Sequence, residues 1–218
     1  MERYIPLFPL STVLFPGVSI DIQVFEERYK KMVVSVLNTN KQIGIFCIKE
    51  GIEAHGPLPI PYEYGTLGQI YQHDPIENLY SKNSVFRMSV MGLKKIKLIH
   101  YYESVEKYYI GNVIIDEEYL HNVQISTEEK EYFFSEAKFY LKHQSFENLD
   151  RIDPNNVVLL CHLTLHFLNI PLEEKQKLLE LSSFQERWNR TLQILKYKNQ
   201  IIHQIEKTHR FQQEDVFN

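Results

Sequence analysis

His162 and His166 stand four residues apart in a stretch of helical periodicity, which sets both imidazoles on one helix face, the spacing of two metal ligands. The hydrolytic form of that pattern needs a Glu directly after the first His as general base. Here the run is His162-Leu163-Thr164-Leu165-His166, without a carboxylate and without an evident third ligand nearby. The pair is therefore read as structural or surface residues, and neither a metal nor a cofactor is expected. Phosphate chemistry of the P-loop kind needs a Gly directly before Lys and Ser or Thr, so that backbone amides and an ammonium cradle the anion. None of the eight glycines precedes a lysine. There is no Gly-x-Ser-x-Gly elbow to expose a nucleophile either. No residue is assigned a catalytic role, and the chain is expected not to be an enzyme.

Two surface constellations remain. Lys94, Lys95 and Lys97, with Arg87, form the one basic cluster of the first half. As an RNA contact it needs a positive field, yet the formal net charge is −4 and acids and bases divide evenly between the two halves. The cluster reads instead as the solvated face of an amphipathic strand whose other face carries Ile96 and Leu98. The 14 tyrosines are more telling. Tyr101, Tyr102, Tyr108 and Tyr109 gather around one predicted turn, and Tyr62 and Tyr64 close a Pro-rich stretch. Tyr is rigid and amphipathic, which suits a surface that holds peptide. Cross-strand pairing inside a sheet accounts for the same residues equally well.

These side chains need elements to hold them. Val18, Ile20, Ile22 and Val24 share one parity, and Ser19, Asp21 and Gln23 the other, which predicts a half-buried strand after the Pro16-Gly17 turn. Phe25, Tyr29, Met32, Val33, Val36 and Leu37 then recur at helical spacing, with Glu26–Lys30 and Glu27–Lys31 as supporting pairs on the wet face. Gln42–Ile48 and Thr66–Gln72 read as strands, separated by a long loop over Glu50–Tyr64. Phe86, Met88, Val90, Ile96 and Leu98 share a parity in a long strand, bent or bulged at Gly92. Tyr108–Ile115 is a further strand. From Ser126-x-x-Glu129, a capping box, the pattern turns helical. Asp153-Pro154 predicts the start of an apolar helix, Pro171 another, and Ser183-x-x-Glu186 a last one carrying Trp188, Leu192 and Leu195. The expected organisation is α+β: a β-rich subdomain over 1–120 and a helical subdomain over 121–218 ending in a long helix, with the boundary near Tyr119–Gln124.

Composition agrees with a folded chain, at 44% hydrophobic and 13% aromatic. Cys47 and Cys161 lie far apart inside apolar runs, which suits a reduced compartment. No basic-then-apolar leader opens the sequence and no apolar run approaches the roughly 20 residues of a membrane span. A cytoplasmic location follows as the expectation.

The stretch Ile5-Pro-Leu-Phe-Pro-Leu to Val33, the Gly65-Thr66-Leu67-Gly68 strand start, Val90-Met-Gly-Leu-Lys-Lys-Ile96 and Pro171-Leu-Glu-Glu-Lys-Gln-Lys-Leu-Leu179 resemble the substrate-binding domain that opens Lon proteases and also occurs alone. Asp21, Ile22 and Gln23 depart from it, because relatives are more apolar or carry Pro there. The resemblance implies a PUA-like pseudo-barrel followed by a helical bundle. It implies a stand-alone, non-catalytic module that binds exposed or unfolded protein segments, or assists a separate protease or chaperone. On this reading the six tyrosines above are the candidate peptide-binding residues. An RNA-binding PUA-like module is the alternative.

Overall fold

The computed structural model describes residues 2–54, 56–80, 84–117, 124–144 and 152–214, with side chains to 208. Most of the expected boundary at Tyr119–Gln124 lies outside them. The chain divides into two compact units, Met1–Glu118 with Ile170–Leu181, and Tyr119–Asn169 with Ser182–Asn218.

The first unit is built on six strands: β1 Glu2–Leu10, β2 Ser19–Val24, β3 Gln42–Glu50, β4 Ile60–His73, β5 Phe86–Glu103 and β6 Tyr109–Ile115. Their order is β2-β5-β4-β3-β1-β6, and β5 pairs with β6 as well. Five strands therefore close into a ring and β2 hangs outside it on β5. Helix α1, Glu27–Leu37, lies between β1 and β3 in sequence, which lets those two strands pair in parallel. Ile5, Leu7, Phe46, Leu67, Ile96, Leu98 and Val113 fill the ring. The strands approach closely: a Cβ on Gly65 would stand 2.5 Å from the Ile45 carbonyl oxygen. Gly17, at φ +83°, makes the turn into β2 that the Pro-Gly pair predicts.

Phe86, Met88, Val90, Ile96 and Leu98 of β5 are buried as their parity requires, whereas Lys94 of the same parity is exposed. Its register on β4 slips beside Gly92, where Leu67 pairs with Lys94 and Gly68 with Gly92. Three expectations need correction. The loop over Glu50–Tyr64 is shorter, since β4 begins at Ile60 and carries Tyr62 and Tyr64 as strand residues. Phe25 precedes α1 rather than joining its apolar stripe and is 44% exposed, while Tyr29, Met32, Val33 and Val36 are buried. The ion pairs of α1 also change partners: Lys30 meets Glu27 at 3.1 Å, Lys31 meets Glu106 at 2.5 Å and Glu26 meets Arg28 at 2.5 Å. Helix α4, Leu172–Glu180, belongs to this unit, where the Gln176 amide donates to the Tyr64 carbonyl at 3.0 Å.

The second unit holds α2 Thr127–His143, α3 Val157–Phe167 and α5 Phe184–Glu214. The Ser126 hydroxyl and Glu129 carboxylate form both bonds of the predicted capping box. Ser183 Oγ accepts from the Glu186 amide at the start of α5. Phe133 of α2 and Trp188 of α5 stack at 4.0 Å in the middle of the unit. Helix α3 starts later than Asp153-Pro154 suggests. Asp153 instead accepts from the Asn155 amide in an Asx turn, and Asn156 caps the helix by accepting from Leu159.

Candidate functional site

The six tyrosines separate. Tyr62 and Tyr64 are half-buried on β4, and the ammonium groups of Lys95 and Lys97 lie 5.6 and 5.4 Å from the Tyr64 ring centre. A slip in the β5–β6 register at Ile99 leaves Leu98 opposite Val113 and Tyr101 opposite Gly111, so Tyr101 stays on the inner face. There it meets Tyr109 edge-to-face at 4.7 Å, and the Tyr109 hydroxyl donates to the Leu58 carbonyl at 3.3 Å. Tyr108 is buried in the turn between the strands. Tyr102 stands on the opposite face and is 52% exposed. The structure thus brings Tyr101 and Tyr109 together, keeps Tyr64 under two lysines, and leaves Tyr102 as the most open of the six.

An outward aromatic pair escaped the sequence reading. Tyr4 on β1 and His100 on β5 each pair with Asn112 of β6, and their rings meet at 5.9 Å. Tyr4 is 61% exposed, and Ile99 and Tyr102 are exposed on β5. Nothing in a lone Tyr or His marks them; only the register places them side by side.

The basic cluster does not form a solvated face. Lys95 is only 4% exposed, because the C-terminal end of α4 covers it. Its ammonium donates to the Leu181 carbonyl at 2.8 Å and meets the Asp116 carboxylate at 2.9 Å. Lys97 is held by Glu63 at 3.0 Å. Lys94 and Arg87 are exposed. His162 is buried beside Arg187, whose Nη1 lies 3.3 Å from the imidazole Nε2. That nitrogen accepts, so the ring's proton sits on Nδ1. His166 turns edge-on to Phe167 at 5.0 Å. Among the described residues no group of His, Cys, Asp and Glu is arranged to hold a metal ion. Cys47 and Cys161 are both buried thiols, and burial pushes Cys47 up to about 11.

The other feature the sequence did not disclose is the rim of β2. Its outer face joins β5 and β4 in an open groove of about 620 Å³ lined by Asp21, Gln23, Tyr71, His73, Asp74 and Arg87, among others. Past the end of β2, Phe8, Leu10, Val24, Glu26, Tyr29 and Glu53 line a small cavity of about 20 Å³. Tyr29 is 2% exposed, its ring meets Phe8 in a tilted contact at 4.5 Å, and its hydroxyl has no hydrogen-bond partner among the described residues. Burial pushes that hydroxyl up to about 12, so it is a neutral donor at any physiological pH. The two carboxylates are already anchored, Glu26 by Arg28 and Glu53 by the Ser11 amide at 2.6 Å. The site can bind and orient, and nothing in it pairs a nucleophile with a base.

No described helix is long and apolar enough to cross a membrane. The fold is similar to two solved structures. The first is a Lon N-terminal domain protein from Xanthomonas campestris, at TM-score 0.64 and 20% identity over 87% of this chain and 97% of that one. The second is the N-terminal domain of a Mycobacterium avium complex Lon protease, at TM-score 0.61 and 14% identity over 89% of this chain and 98% of that one. In sequence, the chain is 27% identical over 224 residues to a Lon protease of Dictyoglomus thermophilum, which takes in 95% of this chain but only 27% of that protein's length. Residues 4–197 match the ATP-dependent protease La (LON) substrate-binding domain, and the chain belongs to that family.

Proposed function

We propose that this chain is a non-catalytic receptor for exposed, partly unfolded segments of other proteins, presenting them to a separate protease or chaperone. The match of residues 4–197 to a substrate-binding domain carries the reading. The exposed Tyr4, Ile99 and Tyr102 on the strand unit support it as apolar contact area. The closure of β5 on β6 supports a PUA-like pseudo-barrel as the frame beneath them. RNA as the ligand loses its support, since Lys95 and Lys97 are each engaged by carboxylates.

The test compares one labelled protein in two states, native α-lactalbumin and its reduced, carboxymethylated form, by fluorescence anisotropy. Binding of the unfolded form with no measurable binding of the native one is expected. Equal affinity for both, or for neither, overturns the reading. Cleavage of the unfolded form by the purified chain alone overturns its non-catalytic part.

A further inference from the structure

β2 is the one strand outside the closed ring, and β5 is the only strand it pairs with among the described residues. The phase of that pairing can be read from its ends. Gly92 donates its amide to the Val18 carbonyl, so Val18 turns its backbone toward β5. Arg87, opposite Gln23, uses its carbonyl for the Asp74 amide and its amide for the Asp74 carboxylate, both away from β2. In an antiparallel pair, hydrogen-bonded and non-bonded positions alternate. Residues 20, 22 and 24 therefore bond inward, and Ser19, Asp21 and Gln23 point their amides and carbonyls outward. Nothing among the described residues takes up those groups.

Natural sheets blunt such edges with Lys, Pro or a bulge. Ser19-Ile-Asp-Ile-Gln-Val24 has none of them. Its single charge, Asp21, is drawn onto the sheet face by the Ser89 hydroxyl at 2.6 Å. The edge is bordered by the open groove beside Asp21 and Gln23, and a water-sized cavity lies beyond Val24. Tyr29, whose buried hydroxyl has no partner among the described residues, is one of the residues lining that cavity. Arg87 stands against Asp21 and Asp74, and Arg28 already pairs Glu26 beside Glu53, which leaves the surroundings of the edge acidic by two charges, so the charge complement is a basic chain.

We propose that β2 receives an extended client segment as an additional strand, apolar residues flanked by Lys or Arg being the favoured sequence. The client's backbone takes the outward groups of Ser19, Asp21 and Gln23. This rests on the receptor reading above and supplies it with a recognition mode, strand addition.

The probe is a labelled peptide of alternating Val and Thr with a Lys pair at each end. Asp21→Pro removes an outward amide and leaves the inward ladder intact, a position where edge strands tolerate Pro. About tenfold weaker binding or worse is expected for Asp21→Pro, with Asp21→Asn within about threefold of the parent, as the loss of a backbone bond rather than a side chain implies. The same peptide N-methylated at alternate residues tests the unaltered protein, should the Pro variant misfold, and is expected to bind in only one of its two methylation phases at most. Equal affinity of parent and Asp21→Pro, or indifference to methylation in both phases, overturns strand addition while leaving the receptor reading standing. Sedimentation showing that Asp21→Pro turns a dimer into a monomer with peptide affinity unchanged assigns the edge to a second copy and also overturns it. Failure of the parent to bind any unfolded probe removes the receptor reading itself.

Discussion

The two units satisfy their backbones in different ways. Inside α2, α3 and α5, each amide bonds to a carbonyl one turn away in the same helix, so that unit meets its surroundings through side chains. In the strand unit the partners are remote in sequence: Glu2 of β1 lies opposite Ile114 of β6, and Leu7 opposite Gly44 of β3. Backbone pairing there is a property of the assembled ring, and wherever a strand lacks a neighbour its polar groups face out. The difference teaches where recognition can come from the main chain and where it cannot. It also predicts that side-chain packing dominates the stability of the helices, while a few polar ties matter most around the strands.

The largest effect should come from Trp188→Ala. It removes the ring stacked on Phe133 and buried at 1% exposure, and a cost of about 4 kcal/mol is expected from the cavity left behind. Urea denaturation followed by far-UV circular dichroism measures it, because Trp188 is the single tryptophan and its fluorescence goes with it. A cost under about 1 kcal/mol would break the comparison, since packing would then not be what holds the helices.

Lys95→Ala comes next, at about 3 kcal/mol, because a buried partner is removed from Asp116 and from the Leu181 carbonyl. Lys95→Met, which keeps the stem and drops the charge, should cost less, as Asp116 is partly exposed and can turn to water. Equal costs for the two variants would show that the polar tie, not stem packing, matters at this position.

The smallest effect sharpens the helical side. The Phe139 carbonyl first, and the Glu206 carboxylate at 3.0 Å second, hold His143 above its usual 6.5. A group raised in the folded state contributes fully below its unfolded value and loses that contribution as pH rises through the folded value. Melting temperatures of the parent and His143→Gln should therefore differ most below about pH 6.5, and the gap should close as pH rises above that value. The gap should be small because the ring is exposed to solvent. A gap that widens with pH contradicts the assignment.

Much of the frame was legible in local periodicity. The alternation of Val18–Val24, the parity of Phe86 to Leu98 and the Ser126–Glu129 capping box each report on neighbours within a few residues, and each appears in the structure. What stayed hidden depends on remote contacts. Lys95 reads as a wet strand residue until the end of α4 lies over it. Helix α4 itself reads like its helical neighbours, and only tertiary packing assigns it to the strands. The start of α3 was missed because Asp-Pro suits an Asx turn as well as a helix cap. The outward phase of Ser19, Asp21 and Gln23 is a matter of pairing, which alternation alone does not fix.

β5 runs for 18 residues and serves three neighbours, β2 and β4 along its first part and β6 along its second. Such a hub orders events during synthesis. A ribosome must deliver Ile115 before the ring has any way to shut, and must go on to Leu181 before the Lys95 ammonium receives its carbonyl. Until then the nascent chain carries open strand borders, so this protein has an interval of birth in which it resembles the molecules it is proposed to hold.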